Sequence, residues 1–254
     1  MLLMCAFCGA MEDDGQVNIA LAKIPTEGRW EVAPEVSWYR YREPGLMENE
    51  GVLYGIGASY TQPREKGFWR LEGVVSAGYV DYDGALQDGT PYRMSNSRDW
   101  LLGLRLLGEY PWQVKEWESR LFAGIGYRFL SDDSSSDPAG YERASNYFYL
   151  PLGLRGSRPW RNGWDIGLAG EFDLLLVGVQ VSDVGEHPPQ TNVQWPGFGT
   201  RVSFEMRHRG GRFDLAVSPF LQYWWVDESN ESSEGWYEPE NNTLQVGLSA
   251  IWRF

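Results

Sequence analysis

Residues 242–254 read Asn-Thr-Leu-Gln-Val-Gly-Leu-Ser-Ala-Ile-Trp-Arg-Phe. Leu244, Val246, Leu248, Ala250, Trp252 and Phe254 fall on alternate positions, with Gln245, Gly247, Ser249, Ile251 and Arg253 between them. A period of two gives an extended strand one apolar face and one mostly polar face, whereas a helix would scatter the same residues around its axis. Nine earlier segments repeat the pattern: 30–41, 52–61, 68–80, 99–110, 119–130, 146–155, 164–176, 198–207 and 213–226. The connectors alternate in length. Those at 62–67, 111–118, 159–163 and 208–212 are short, while those at 42–51, 81–98, 131–145, 180–197 and 227–241 are longer and acidic. Ten antiparallel strands with short turns on one side and long loops on the other describe an all-β fold, a ten-stranded antiparallel up-and-down transmembrane β-barrel.

Mean hydropathy is -0.42 and no apolar run approaches the length of a spanning helix. Neither observation argues against a membrane, because barrel strands are apolar on one side only and average out as polar. Aromatic spacing supports the membrane reading. Trp69 and Tyr79 share a face, as do Trp100 and Tyr110, each pair ten residues apart. Ten strand residues rise roughly 33 Å, which a ~45° tilt projects to about 23 Å. That spans the outward apolar band of a barrel and puts the rings at headgroup level. A soluble β-sandwich would explain the alternation but would leave these rings in water.

The strand ending on Phe254, with Leu248 and Trp252, resembles the C-terminal assembly signal of bacterial outer-membrane β-barrel proteins. The resemblance implies a Gram-negative outer membrane and insertion by the outer-membrane assembly machinery after passage with periplasmic chaperones. Outer-membrane lipid and lipopolysaccharide are the expected surroundings, and a monomer is the expected state. Met1–Ala10 reads as the apolar tail of a secretory signal, carrying both cysteines, Cys5 and Cys8; residues 11–28 read as a periplasmic lead-in, and residues 29–254 as the barrel. The net charge of -13 argues against nucleic acid.

The polar face of the strands carries unlike charges. Glu31, Glu35, Glu72, Glu109, Asp165, Glu171, Asp173, Glu205 and Asp214 stand against Arg70, Arg105, Arg120, Arg128, Arg155, Arg201 and Arg253. In a narrow interior such groups pair, since an unpaired one is costly. Ten strands lie near the size that side chains fill, so a plugged lumen is expected over a conducting pore.

Candidate chemistry is sparse. Asp81 and Asp83 share a strand face, and two neighbouring carboxylates can share a proton or position a water. With His187 they are similar to the omptin family of outer-membrane proteases, ten-stranded barrels with a carboxylate pair and an Asp–His pair facing each other over an extracellular cleft. Carried over, Asp81 and Asp83 would be the carboxylate pair and His187 the base. The position two before His187, where the omptin pattern has aspartate, is Gly185. The strands also read as too short to wall a tall cleft. Asp132, Asp133 and Asp137 offer oxygen ligands to a cation but lack the spacing of an EF-hand. The loop acids, Glu238 and Glu240 among them, are candidates for divalent cations shared with lipopolysaccharide phosphates. Trp224, Trp225, Trp236 and Tyr237 flank the last loop as candidate contact aromatics. No cofactor motif is present. The expectation is a non-enzymatic outer-membrane barrel with acidic extracellular loops in a structural or surface-interaction role, with an omptin-like protease and a small solute channel as alternatives.

Overall fold

The computed structural model describes residues 19–20, 27–86, 89–183, 188–231 and 235–254. Ten strands form the wall: β1 (Arg29–Glu43), β2 (Met47–Arg64), β3 (Gly67–Ala85), β4 (Pro91–Val114), β5 (Trp117–Asp133), β6 (Glu142–Arg161), β7 (Trp164–Asp183), β8 (Gly197–His208), β9 (Asp214–Val226) and β10 (Asn241–Arg253). Each pairs antiparallel with its neighbours in sequence, and β10 pairs with β1. The ring therefore has no free edge, which satisfies the backbone inside a bilayer. Trp30 and Phe254 complete the join by exchanging both backbone hydrogen bonds, at 2.9 and 3.1 Å.

Trp69, Tyr79, Trp100 and Tyr110 all point outward, as do Leu248, Trp252 and Phe254, the last 62% exposed to the space that lipid fills. The short turns and the chain ends share one rim, which is the periplasmic one in this class. Asn162 and Gly163 both take positive φ in the two-residue turn between β6 and β7, the conformation a tight hairpin needs.

The strands are longer than their apolar alternation. β4 runs 24 residues and β6 and β7 run 20 each, against the roughly 9–11 that cross a bilayer. The wall thus extends well past the outer girdle, and the expectation of short strands is corrected. The loops expected at 42–51 and 81–98 shrink to Pro44–Leu46 and residues 86–90. The reason is physical. Outward positions turn polar once the wall leaves the lipid, while the backbone ladder continues. The long connector at 180–197 holds a short strand, Gln190–Gln194, paired with the outer end of β7. In the lead-in, Ile19 and Ala20 pair with Val114 and Gln113 at the periplasmic end of β4. The signal segment lies outside the described residues.

Candidate functional site

The lumen is divided by height into two regions. The outer half is filled. Tyr39 on β1, Leu53 on β2, Tyr147 on β6, Leu175 on β7 and Trp224 on β9 all point inward and are buried. Two glycines make the packing possible. Gly126 lies directly opposite Tyr149, and Gly199 directly opposite Trp224. A Cβ on Gly126 would meet the Tyr149 ring at 2.2 Å, and one on Gly199 would meet the Trp224 ring at 2.6 Å. The two rings reach over those strands and meet edge to face, centroids 5.0 Å apart. Such a contact contributes about 0.5–1.5 kcal/mol beyond area burial.

Around these rings sits a buried polar cluster. Arg143 reaches in from β6, pairing with Glu43 and, at 2.8 Å, with Asp132, while Glu238 lies 3.8 Å away. Asp132 also accepts a hydrogen bond from Asn49 at 2.9 Å. Asp99 stands directly across from Asp132 in the β4–β5 register, and among the described residues no hydrogen bond of ordinary geometry reaches either of its oxygens, its nearest polar neighbours being Asp132 and the Tyr39 hydroxyl. Facing carboxylates of this kind can share a proton. Burial of both residues keeps any substrate from them. Glu238, in the last extracellular loop, is pushed up to about 7 by burial, which outweighs nearby Arg143 and is reinforced by Glu43.

The inner half is open. A cavity of about 950 Å³ rises from the periplasmic mouth, where Glu27, Arg29 and Gly211 lie, to a blind end at Arg128, Tyr149, Arg201, Gln222 and Gln245. Its wall holds Arg70 bound to Glu31 and Glu72, Arg105 to Glu72 and Glu171, Arg155 to Glu109, and Arg253 to Glu31 and Glu205. At the mouth Arg207 and Arg209 both hold Asp165. The expected paired interior is present, but the expected filling stops halfway.

The sequence candidates do not converge. Asp81 and Asp83 point outward. Asp83 pairs with exposed Arg93 at 2.8 Å, and Asp81 accepts a hydrogen bond from the Asn96 amide at 3.3 Å. Across the ladder they face Glu50 and Glu48, which are held by Trp38 and Arg40. Four carboxylates on neighbouring positions are thus each occupied by a partner. His187 lies outside the described residues. Asp132 is buried against Arg143. Asp133 caps Ser135, while Asp137 accepts from the Tyr92 hydroxyl at 2.7 Å, and that bond holds its carboxyl below the usual range. Among the described residues no group of three or more acidic, histidine or cysteine side chains is arranged to hold a metal. Trp224 is buried inside the lumen, not displayed beside the loop, and Glu238 is likewise buried. Trp225 faces outward with its indole nitrogen on Glu240.

No family model matches the sequence, and no curated protein matches it. Among solved structures, the outer-membrane protease OmpT from Escherichia coli is similar over 92% of this chain and 99% of its own, with TM-score 0.57 and 10% identity. A major outer membrane protein from Thermus thermophilus is similar over 89% and 99%, with TM-score 0.41 and 13% identity. At such identities the likeness is one of fold. The chain has the fold of a ten-stranded outer-membrane β-barrel.

Proposed function

We propose that this chain is a non-enzymatic barrel, closed toward the outside and open toward the periplasm, whose extracellular rim and loops are its interacting surface. The observation that carries the reading is the filled outer half of the lumen. Trp224, Tyr39 and Tyr147 are at most 1% exposed there, which supports a lumen closed above the cavity. The shared fold with OmpT favours a protease as the rival. Against it, Asp81 and Asp83 face away from the lumen and already hold partners. The rim, not the lumen, then presents the chain's charge to lipopolysaccharide and to extracellular partners.

Planar-bilayer recording on the refolded full-length chain tests the closed lumen. The expected result is no discrete conductance steps, and steps altered by Arg105→Ala would overturn it. Incubating liposomes that carry the barrel with basic peptides tests the rival. The peptides are expected to stay intact, and cleavage abolished by Asp83→Asn would establish the protease instead.

A further inference from the structure

The chain carries a net charge of -13, yet eleven arginines and no lysine line the periplasmic cavity. Arginine stays charged in every environment and presents planar pairs of donors, the geometry that matches carboxylate and phosphate. Within the barrel most of these arginines already hold a wall carboxylate. Apart from exposed Arg212 at the mouth, Arg128 and Arg201 do not. Among the described residues Arg128 makes one side-chain hydrogen bond, to the Thr243 hydroxyl at 3.4 Å, and its guanidinium lies over the rings of Trp224 and Tyr147 at 5.5 and 5.6 Å. Arg201 donates to the Gln222 side chain at 3.2 Å and lies over Phe220 at 4.2 Å.

Their height in the barrel matters. Each is the outermost residue of its strand on the cavity wall, so both stand at the blind end. Neither has a nitrogen that is both buried and without a partner, so their spare donors open onto the cavity. Three inward acids stand near this level, Glu35, Glu171 and Asp173. Glu171 is bound by Arg105, and Glu35 accepts hydrogen bonds from Ser76 and Ser249. Asp173, one inward step beyond Glu171 on β7, is buried and neither of its oxygens holds a partner among the described residues, so two arginines without an acid partner stand near two carboxylates without an arginine, of which Asp173 is sealed from the cavity while both guanidinium groups line it. Aromatic rings behind each guanidinium hold it in place, which lowers the ordering cost of gripping a ligand. The volume lies within the range of small-molecule sites, about 300–1,000 Å³.

We infer that the blind end of this cavity is a binding site for a small periplasmic solute carrying a carboxylate or phosphate group, held by Arg128 and Arg201. The site shares only its periplasmic opening with the closed-barrel reading above. A barrel that conducts and binds phosphate would fail that reading and keep this one.

Calorimetric titration of the refolded full-length chain, in zwitterionic detergent at low salt, tests the site with inorganic phosphate and with succinate as probes. Saturable binding of at least one is expected, weakened at least about ten-fold by Arg201→Gln and by Arg128→Gln, the loss of charged hydrogen bonds. Arg93→Gln, on the outer face, is expected to leave binding unchanged. Should Arg128→Gln not fold, Arg201→Gln carries the test, because its guanidinium has a single side-chain hydrogen bond to lose. Absence of saturable binding of either anion by the folded native chain would overturn the assignment. So would binding that both lumen variants leave intact.

Discussion

The two halves of the lumen are built from the same inward positions of the same strands, yet they handle charge differently. In the outer half one arginine, Arg143, faces Glu43, Asp132 and Glu238 amid buried rings. In the inner half Arg70, Arg105, Arg155 and Arg253 share carboxylates in a network that borders an open cavity. The difference teaches that charge in a barrel interior is tolerated by either of two means. One is a tight local match in a dry environment, where losing one member exposes the rest. The other is a wet network, where a lost member is replaced by a neighbour or by solvent.

Removing Arg143 is the most severe way to break the contrast. Arg143→Met leaves three acids buried without their cation and is expected to cost ~3–5 kcal/mol, read from the urea unfolding midpoint of the refolded barrel. Next comes Trp224→Ala, which empties the packing between the blind end and the exterior. A loss of about 3 kcal/mol is expected, together with discrete conductance steps in planar bilayers that are not expected of the native chain. In the inner half Glu205→Gln is expected to cost ~1 kcal/mol or less, because Arg253 keeps Glu31. A loss equal to that of Arg143→Met would erase the distinction between the halves.

The smallest effect is a slope against pH. Glu238 has its carboxyl raised to about 7 in the fold, above the 4.5 of the free group. Between those values the folded chain holds a proton that the unfolded chain releases. Stability therefore falls as pH rises through that window. Unfolding midpoints measured at pH 5, 6, 7 and 8 are expected to decline, and Glu238→Gln is expected to flatten the decline.

Much of this fold was legible in the alternation, because lipid outside and charge inside impose a period of two on every crossing. What lay beyond the girdles was not, since outward residues there are polar and the apolar alternation ends before the strands do. Asp81 and Asp83 illustrate a readable signal. Both share parity with Tyr79, whose ring faces lipid, so the same strand carried straight on points them outward too. The irregularity beside them is a bulge on β4, near Asn96 with its positive φ, and leaves the phase of β3 intact. Arg143 is a second case. Stepping by two from Tyr147 through Ser145 reaches it, and stepping from Arg128 through Leu130 reaches Asp132. The depth of the filling was harder to see. It follows from the size of inward residues along each strand, large in the outer half at Tyr39, Tyr41, Tyr147 and Trp224, small in the inner half at Ala33, Gly57, Ser59 and Gly103. The pairing of Arg105 with Glu171, from strands far apart around the ring, has no trace in local sequence.

The join between Trp30 and Phe254 has a consequence for how the molecule comes into being. These two residues stand at opposite ends of the wall in sequence, so β1 keeps one hydrogen-bonding edge bare until β10 reaches it. Contacts so distant along the chain are slow to form, and an exposed strand edge invites pairing with the wrong neighbour. The hoop cannot shield itself while it is still an arc, and that edge stays open until the last strand arrives.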